Sequence, residues 1–108
     1  MTQTFMDSLR IEVAAGFRER AFGLIFRSEP LPGQGLLFKR CSAVHTCFMR
    51  YAIDVVFLDD NYRILRVGHA LQPWRWARCP GARHVLELRS GESARLHMSA
   101  GDTLRLFG

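Results

Sequence analysis

The 108-residue sequence lacks the marks of a secreted, membrane-spanning or nucleotide-binding protein. No stretch approaches the run of about 18 apolar residues that a transmembrane helix needs. Residues 1–10 contain neither the basic start nor the apolar run of a signal peptide. Neither G-x-G-x-x-G nor a P-loop occurs, which excludes the common phosphate-binding loops. We therefore expect a cytoplasmic protein with no membrane partner, and we predict no cofactor.

Cysteine and lysine are also scarce. The three cysteines, Cys41, Cys47 and Cys79, are an odd number without a C-x-x-C pair, which is typical of free thiols in a reducing compartment. Lys39 is the single lysine beside 14 arginines, and the excess of basic residues gives a net charge of +5. Because 48% of the residues are hydrophobic, as in an ordinary globular protein, we expect one domain over residues 1–108.

Short apolar runs separated by turn residues predict strands. Residues 8–14 alternate apolar and polar side chains, which is the period of a half-buried strand. Ile53–Leu58 is apolar on both faces apart from Asp54, and we interpret it as the central strand, buried on both sides. Further apolar runs cover residues 36–38, 43–49, 64–71, 84–88, 94–98 and 103–107.

One segment has a helical period instead. Phe17, Ala21, Leu24 and Ile25 form one apolar stripe, which predicts a short amphipathic helix over residues 17–27. Strands and helices do not alternate after it, which argues against a doubly wound nucleotide-binding fold. The predicted fold is mainly β (α+β), a small barrel-like domain of about seven short strands with one short helix near the N-terminus.

Two acidic residues interrupt apolar strands. Asp54 lies in the apolar run 53–58, and Glu87 has apolar residues on both sides. A buried carboxylate is costly unless it is paired or richly hydrogen-bonded, so each should have a partner. For Asp54 the candidates are Arg50, Arg20 and Arg27. The two acids either form structural ion pairs or converge on a pocket as an acid and a base.

Cys41, His45 and Cys47 form a second constellation. In an extended segment these three side chains point to the same side, which is plausible geometry for a metal. The close cysteine pairs of structural zinc sites are absent, however, and cysteine is often simply buried. We predict no metal site and a packed core cysteine.

The third constellation is basic and aromatic. Residues 61–86 contain no acid and interleave Tyr62, Trp74 and Trp76 with five arginines, namely Arg63, Arg66, Arg75, Arg78 and Arg83. Arginine beside flat rings suits nucleic acid, through phosphate charge and base stacking. No recognised nucleic-acid reading motif is present, and the alternative is a solvated loop whose tryptophan plugs the end of the barrel.

The sequence also resembles a known family, catalogued as domain of unknown function 192 (DUF192), which comprises small bacterial and archaeal proteins. The resemblance is carried by His45-Thr46-x-x-Met49-Arg50-x-x-Ile53-Asp54-Val55-Val56-Phe57-Leu58-Asp59, with Glu19-Arg20-x-x-Gly23-Leu24 and Leu86-Glu87-Leu88-x-x-Gly91 as further matches. It implies a compact, mostly β, barrel-like domain with one early helix and no established activity. Where the family usually has a turn glycine the chain has Tyr62, so we expect Asn61 to take the left-handed conformation.

Three functions follow as hypotheses. The first is a non-catalytic binding or accessory protein with a polar pocket for a small polar or anionic ligand, lined by His45, Thr46, Arg50, Asp54 and Glu87. The second is a hydrolase or lyase with His45 as the general base and Asp54 or Glu87 as its orienting acid. The third is nucleic-acid binding through the basic segment 63–83, above all through Arg63, Arg66, Trp74, Arg75, Trp76 and Arg78.

Overall fold

The computed structural model describes residues 9–14, 29–47 and 49–105. Within these ranges the chain forms seven strands and one helix, so the prediction of a mainly β fold is confirmed. In chain order they are β1 (Arg10–Val13), β2 (Gln34–Lys39), β3 (Ala43–His45), β4 (Ile53–Leu58), β5 (Ile64–Leu71), β6 (Trp76–Arg78), β7 (His84–Arg89) and α1 (Glu92–Arg95).

The strands form one sheet of five and one of two. The larger sheet has the order β1-β2-β7-β4-β5, and the smaller sheet pairs β3 with β6. Only β1 and β2 are parallel; the other paired strands are antiparallel. Over the described ranges β1 and β5 are two separate edges of the larger sheet, so the sheet is open and the predicted barrel is not confirmed.

The three inner strands of the larger sheet, β2, β7 and β4, are buried on both faces. On one face Leu37, Val56 and Leu86 pack against Leu96 and Met98, which follow the last turn of α1. The opposite face buries a second set of apolar side chains, which pack beneath the smaller sheet: Leu36, Phe38, Val44, Met49, Ile53, Val55, Phe57 and Val85. All six residues of β4 are buried, as predicted, but the central position belongs to β7.

Several predicted elements end elsewhere or differ in type. Strands β1, β4, β5 and β7 agree with the predicted runs, whereas the run 43–49 is a strand only over Ala43–His45. The run 94–98 is wrong as a strand, because Ala94 and Arg95 belong to the helix Glu92–Arg95 and residues 96–98 form no strand. The predicted helix 17–27 lies outside the described residues. No helix within the described part of the chain could span a membrane.

The turn between β4 and β5 also differs from the expectation. Tyr62 itself has a φ of 61°, whereas Asn61 is not among the residues with positive φ. The Tyr62 amide donates to the Asp59 carbonyl at 3.0 Å, and its ring stacks on His84 with centroids 4.8 Å apart. This packing holds a bulky residue in a conformation that usually favours glycine.

Candidate functional site

Asp54 is fully buried in β4, on the face of the sheet that carries α1. Its Oδ1 accepts a hydrogen bond from the Ala70 amide at 2.9 Å. Its Oδ2 accepts hydrogen bonds from the Gly91 amide at 3.1 Å, the Ser93 amide at 3.0 Å and the Ser93 hydroxyl at 2.6 Å. Backbone amides and a hydroxyl therefore satisfy this carboxylate.

The predicted arginine partner of Asp54 is not confirmed. Arg50 is exposed, and no ion pair joins it to Asp54 in the portion of the chain that the structure describes. Arg20 and Arg27 lie outside that portion. The physical reason is that amide and hydroxyl donors stabilise a buried carboxylate without a second buried charge.

Ser93 and His69 extend this polar cluster towards the surface. The Ser93 hydroxyl lies 3.1 Å from Nδ1 of the exposed His69 and donates its proton to Asp54. In a nucleophilic triad the serine hydroxyl donates to the histidine, and the acid orients the histidine. Here the hydroxyl donates directly to the acid, so the hydrogen-bond arrangement is not that of a triad. Ser93 is also fully buried. The cluster therefore caps the first turn of α1 and joins it to β4 and β5.

Thr46 fixes the turn between β5 and β6. Its fully buried hydroxyl donates to the Gln72 carbonyl at 2.6 Å and accepts from the Arg75 amide at 2.9 Å. Its backbone amide donates to the Arg75 carbonyl, and its carbonyl accepts from the Trp74 amide at 3.0 Å. This single residue thus makes hydrogen bonds to Gln72, Trp74 and Arg75.

His45 and Trp76 pair across the smaller sheet. Trp76 lies opposite His45, with ring centroids 5.1 Å apart and an interplanar angle of 47°. Because side chains alternate along a strand, Trp76 and Arg78 share the outer side of β6, while Ala77 packs against the core. The Arg66 guanidinium reaches from β5 and donates to the Arg78 carbonyl at 3.0 Å.

Trp74 is presented at one end of this surface. It has a φ of 63°, which is unusual for a bulky residue, and 56% of it is exposed, beside 72% of Trp76. Such strain persists only where surrounding contacts enforce it, and here the hydrogen bonds of Thr46 do so. We name this surface the aromatic–basic face and define it by six residues, all exposed except the half-buried His45: His45, Arg66, Trp74, Arg75, Trp76 and Arg78.

Glu87 lies on the other side of the larger sheet from Asp54. It is in register with Val55 of β4 and Leu36 of β2, and neighbouring residues of a strand face opposite sides. It is 2% exposed and lines a pocket of about 390 Å³ at the β1 edge, together with Arg10 and Tyr51. Asp54 and Glu87 therefore do not converge as an acid and a base.

The structure divides the five residues predicted for a small-ligand pocket. His45 belongs to the aromatic–basic face, and Thr46 supports it from the turn. Arg50 is exposed, whereas Asp54 and Glu87 lie on opposite faces of the larger sheet. The sheet also separates His45 from Asp54. A binding role for these residues stays a prediction.

Two residues of the basic segment lie apart from the aromatic–basic face. The backbone of Arg63 forms an isolated β-bridge with Thr103. The Arg83 amide donates to the Leu58 carbonyl at the far end of β4. Cys47 lies in a turn beyond β3, and no group of three metal-ligating side chains exists among residues 9–14, 29–47 and 49–105.

Sequence reasoning missed some residues that organise these sites. The sequence pattern assigns Ser93 to no element, although the preceding Ser90-Gly91 turn signal marks the start of α1. Arg10 and Tyr51, which line the pocket, gave no signal, because the pairing of β1 with β2 joins segments 24 residues apart.

Glu92 and His84 are two of the titratable groups whose pKa values are shifted. Hydrogen bonds from Arg95 hold the pKa of the Glu92 carboxyl below its ordinary value, and the Gly33 amide adds to this effect. Burial lowers the pKa of His84, although Asp60 opposes the shift. Both groups lie outside the aromatic–basic face.

Comparisons with known proteins agree with this architecture. The DUF192 family model, described as "Uncharacterized ACR", matches residues 1–106. A UPF0127 protein of Pyrococcus horikoshii is 32% identical over 104 residues, covering 90% of this chain and 87% of that protein. A UPF0127 protein of Pyrococcus furiosus is 36% identical over 106 residues, covering 89% and 87%.

Two solved structures are similar in fold. A protein of unknown function from Novosphingobium aromaticivorans has a TM-score of 0.77 and 26% identity, covering 86% of this chain and 71% of that one. A protein from Sinorhizobium meliloti, described as a proposed transcription regulator, has a TM-score of 0.77 and 25% identity, covering 86% and 78%.

Proposed function

Because this chain belongs to the DUF192 family, which is described as uncharacterised, we propose its function from the geometry: it is a non-catalytic protein that binds single-stranded nucleic acid on the aromatic–basic face. The observation that carries this proposal is the exposure of Trp74 and Trp76, at 56% and 72%, beside three arginines and the His45 ring. Aromatic platforms with arginine are the usual means by which proteins bind single strands.

Charge complementarity supports this partner. Residues 61–86 contain no Asp or Glu, so the strands and turn that carry Arg66, Arg75 and Arg78 add no acid to the surface. A phosphate backbone is attracted by such a surface and releases counterions when it binds. An acidic protein would also supply negative charge. It would not supply successive flat bases that stack on the two exposed tryptophans.

The rigid presentation of the rings favours binding. Thr46 holds the turn that displays Trp74, and the pairing of β3 with β6 places Trp76 beside His45. A ring that is already ordered loses less conformational entropy when a ligand stacks on it. Stacking on the flat side of a ring requires an unpaired base, and for this reason we propose a single strand rather than a duplex.

The comparisons and the alternatives bear on this proposal in different ways. The related protein from Sinorhizobium meliloti is described as a proposed transcription regulator, and nucleic-acid binding by this chain would agree with that description. The hydrolase or lyase hypothesis needs His45 beside Asp54 or Glu87, but His45 contacts Trp76 and the Cys47 amide. The small-ligand hypothesis retains Glu87 and its pocket.

The test measures binding of a fluorescently labelled 15-nucleotide oligo(dT) and oligo(U) by anisotropy. Three phosphate contacts predict a log–log salt slope of about −2, so affinity should fall roughly 20-fold between about 50 and about 200 mM salt. Since both tryptophans of the chain lie in the face, their intrinsic fluorescence should be quenched by the bound bases. A duplex of the same length should bind more weakly.

Variants locate the site. Trp76→Ala should weaken binding by about 1–3 kcal/mol, and Trp76→Phe should weaken it less because a ring remains. Arg78→Ala should reduce the salt slope by roughly 0.7, whereas Arg63→Ala removes the same charge outside the face and should leave binding nearly unchanged. Equal binding of duplex and single strand, or binding only to anionic lipid vesicles, would overturn the proposal.

A further inference from the structure

The pocket at the β1 edge is separate from the aromatic–basic face. It has a volume of about 390 Å³, and its lining includes Arg10 and Glu12 of β1, Leu36 of β2, Tyr51 and Glu87. Glu12 and Glu87 are both in register with Leu36, which lies between them, so these three residues form one row across three strands. Arg10 lies two residues along β1 from that row, on the same side of the strand.

Glu87 is an unexpected residue for its position in the sheet. Its neighbours across β2 and β4 are Leu36 and Val55, and it is 2% exposed, so an apolar side chain would be cheaper there. Its side chain nevertheless lines a pocket that opens to the surface. A carboxylate can accept about four hydrogen bonds, so Glu87 can bind a ligand cation while protein donors also contact it.

The other charges of the pocket define the ligand further. Glu29 is already held by the Arg89 guanidinium at 2.8 Å, and Glu12 is a further carboxylate of the lining. Arg10 is the basic side chain among the described lining residues. Neighbouring strands lie about 4.8 Å apart and residues two apart along a strand about 6.8 Å, so the Cα atoms of Glu87 and Arg10 are roughly 12 Å apart. A ligand that contacts both side chains must carry a positive and a negative group, and the pocket volume leaves room for an apolar chain between them.

We propose that this pocket binds a free basic amino acid, with its side-chain cation at Glu87 and its α-carboxylate at Arg10. The methylene chain of such a ligand would lie against Leu36 and the ring of Tyr51. Charge-assisted hydrogen bonds at both ends would orient it, and the pocket would reject molecules that lack either charge. This inference is independent of the proposed nucleic-acid function.

The test uses isothermal titration calorimetry of the whole protein with L-lysine and L-arginine. Norleucine, which lacks the side-chain cation, and agmatine, which lacks the carboxylate, should each bind at least about tenfold more weakly. Arg10→Ala, which changes an exposed residue of the pocket lining, should weaken L-lysine binding about tenfold but should not weaken the binding of agmatine, which has no carboxylate for Arg10 to contact. Glu87→Gln should weaken both, with folding checked by circular dichroism.

The matched control is Arg78→Ala, which removes an arginine from the aromatic–basic face and should not alter amino-acid binding. The same variant should weaken oligonucleotide binding, so the two proposals can fail separately. If neither amino acid shows saturable binding at concentrations up to about 10 mM, the inference is wrong. This limit corresponds to a binding free energy weaker than about 3 kcal/mol. Equal binding of norleucine and lysine would also overturn the inference.

Discussion

Oδ2 of Asp54 accepts hydrogen bonds from both the amide and the hydroxyl of Ser93, at 3.0 and 2.6 Å. The two residues are 39 positions apart, and neither is exposed to solvent. Through this contact the acid of β4 acts as the N-terminal cap of α1, whose own N-cap residue, Gly91, has no side chain to do so. In the sequence string that resembles DUF192, Asp54 therefore has a structural role as the cap of α1.

Replacing this carboxylate should cost much of the domain's stability. In Asp54→Asn the amide nitrogen would face some of the donors from Ala70, Gly91 and Ser93, so buried hydrogen bonds would be lost. We expect the free energy of unfolding to fall by about 2–4 kcal/mol in urea denaturation at neutral pH. Asp60→Asn, on a side chain that is 81% exposed, is the control and should change it by less than about 0.5 kcal/mol. An equal effect of the two substitutions would contradict the capping role.

Thr46 links stability with binding. Thr46→Val keeps the shape of the side chain but removes the hydroxyl between Gln72 and Arg75. We expect a loss of about 1–3 kcal/mol in the free energy of unfolding, because the Arg75 amide and the Gln72 carbonyl lose their partner in part-buried hydrogen bonds. Oligonucleotide affinity should fall severalfold although no ring or charge is removed. Thr46→Ser, which retains the hydroxyl, should restore both; if it does not, the hydroxyl is not the cause.

Acid should weaken the attachment of α1 to Gly33, which directly precedes β2. The pKa of Glu92 in the folded state lies below its ordinary value of 4.5, chiefly because of the hydrogen bonds from Arg95. A group with a depressed folded-state pKa stabilises the fold above its unfolded-state pKa, and this contribution is lost as the pH falls below about 4.5. Glu92→Gln should therefore reduce the slope of stability against pH in this acidic range. Denaturation at several pH values between about 3 and 6 measures it, and an unchanged slope would contradict the assignment.

A bulge in β5 offers a stabilising substitution. Between the pairs Ile53–Leu71 and Val55–Gly68 the register shifts, and Ala70 in the bulge has a φ of 48°. Glycine adopts this conformation without strain, so Ala70→Gly should raise the free energy of unfolding by up to about 1 kcal/mol. Ala43→Gly in β3, whose φ is not positive, is the control and should lower it by about 0.5–1 kcal/mol. Thermal unfolding compares the two, and a loss of stability in both would show that strain is absent.

The sequence predicted the elements whose own pattern determines them. Ile53–Leu58 and Ile64–Leu71 were predicted with correct bounds, because a run that is buried on both faces and an uninterrupted strand between turn signals are visible locally. Trp76–Arg78 was not predicted as a strand, because three residues are too few for a periodicity. Its strand conformation depends on pairing with β3, about 30 residues earlier.

The sites were predicted less well, for a similar reason. The sequence identified Asp54 as an acid that needs partners, but not the turn at Gly91 and Ser93 that supplies them. It also grouped Thr46 with Asp54, although strand alternation and the turn at 72–75 direct the two to different parts of the fold. Side-chain chemistry is readable from one position, whereas a convergent site depends on contacts between distant segments.

The position of β7 at the middle of the sheet also governs when the molecule can assemble. Strand β2 ends at residue 39, but its partner β7 is complete only at residue 89, and β4 needs the same partner. At a synthesis rate of about 5–20 residues per second, roughly 3–10 s pass between the synthesis of β2 and the completion of its partner strand β7. The β4–β5 hairpin can form in that interval, but the five-stranded sheet can assemble only after β7 has been synthesised.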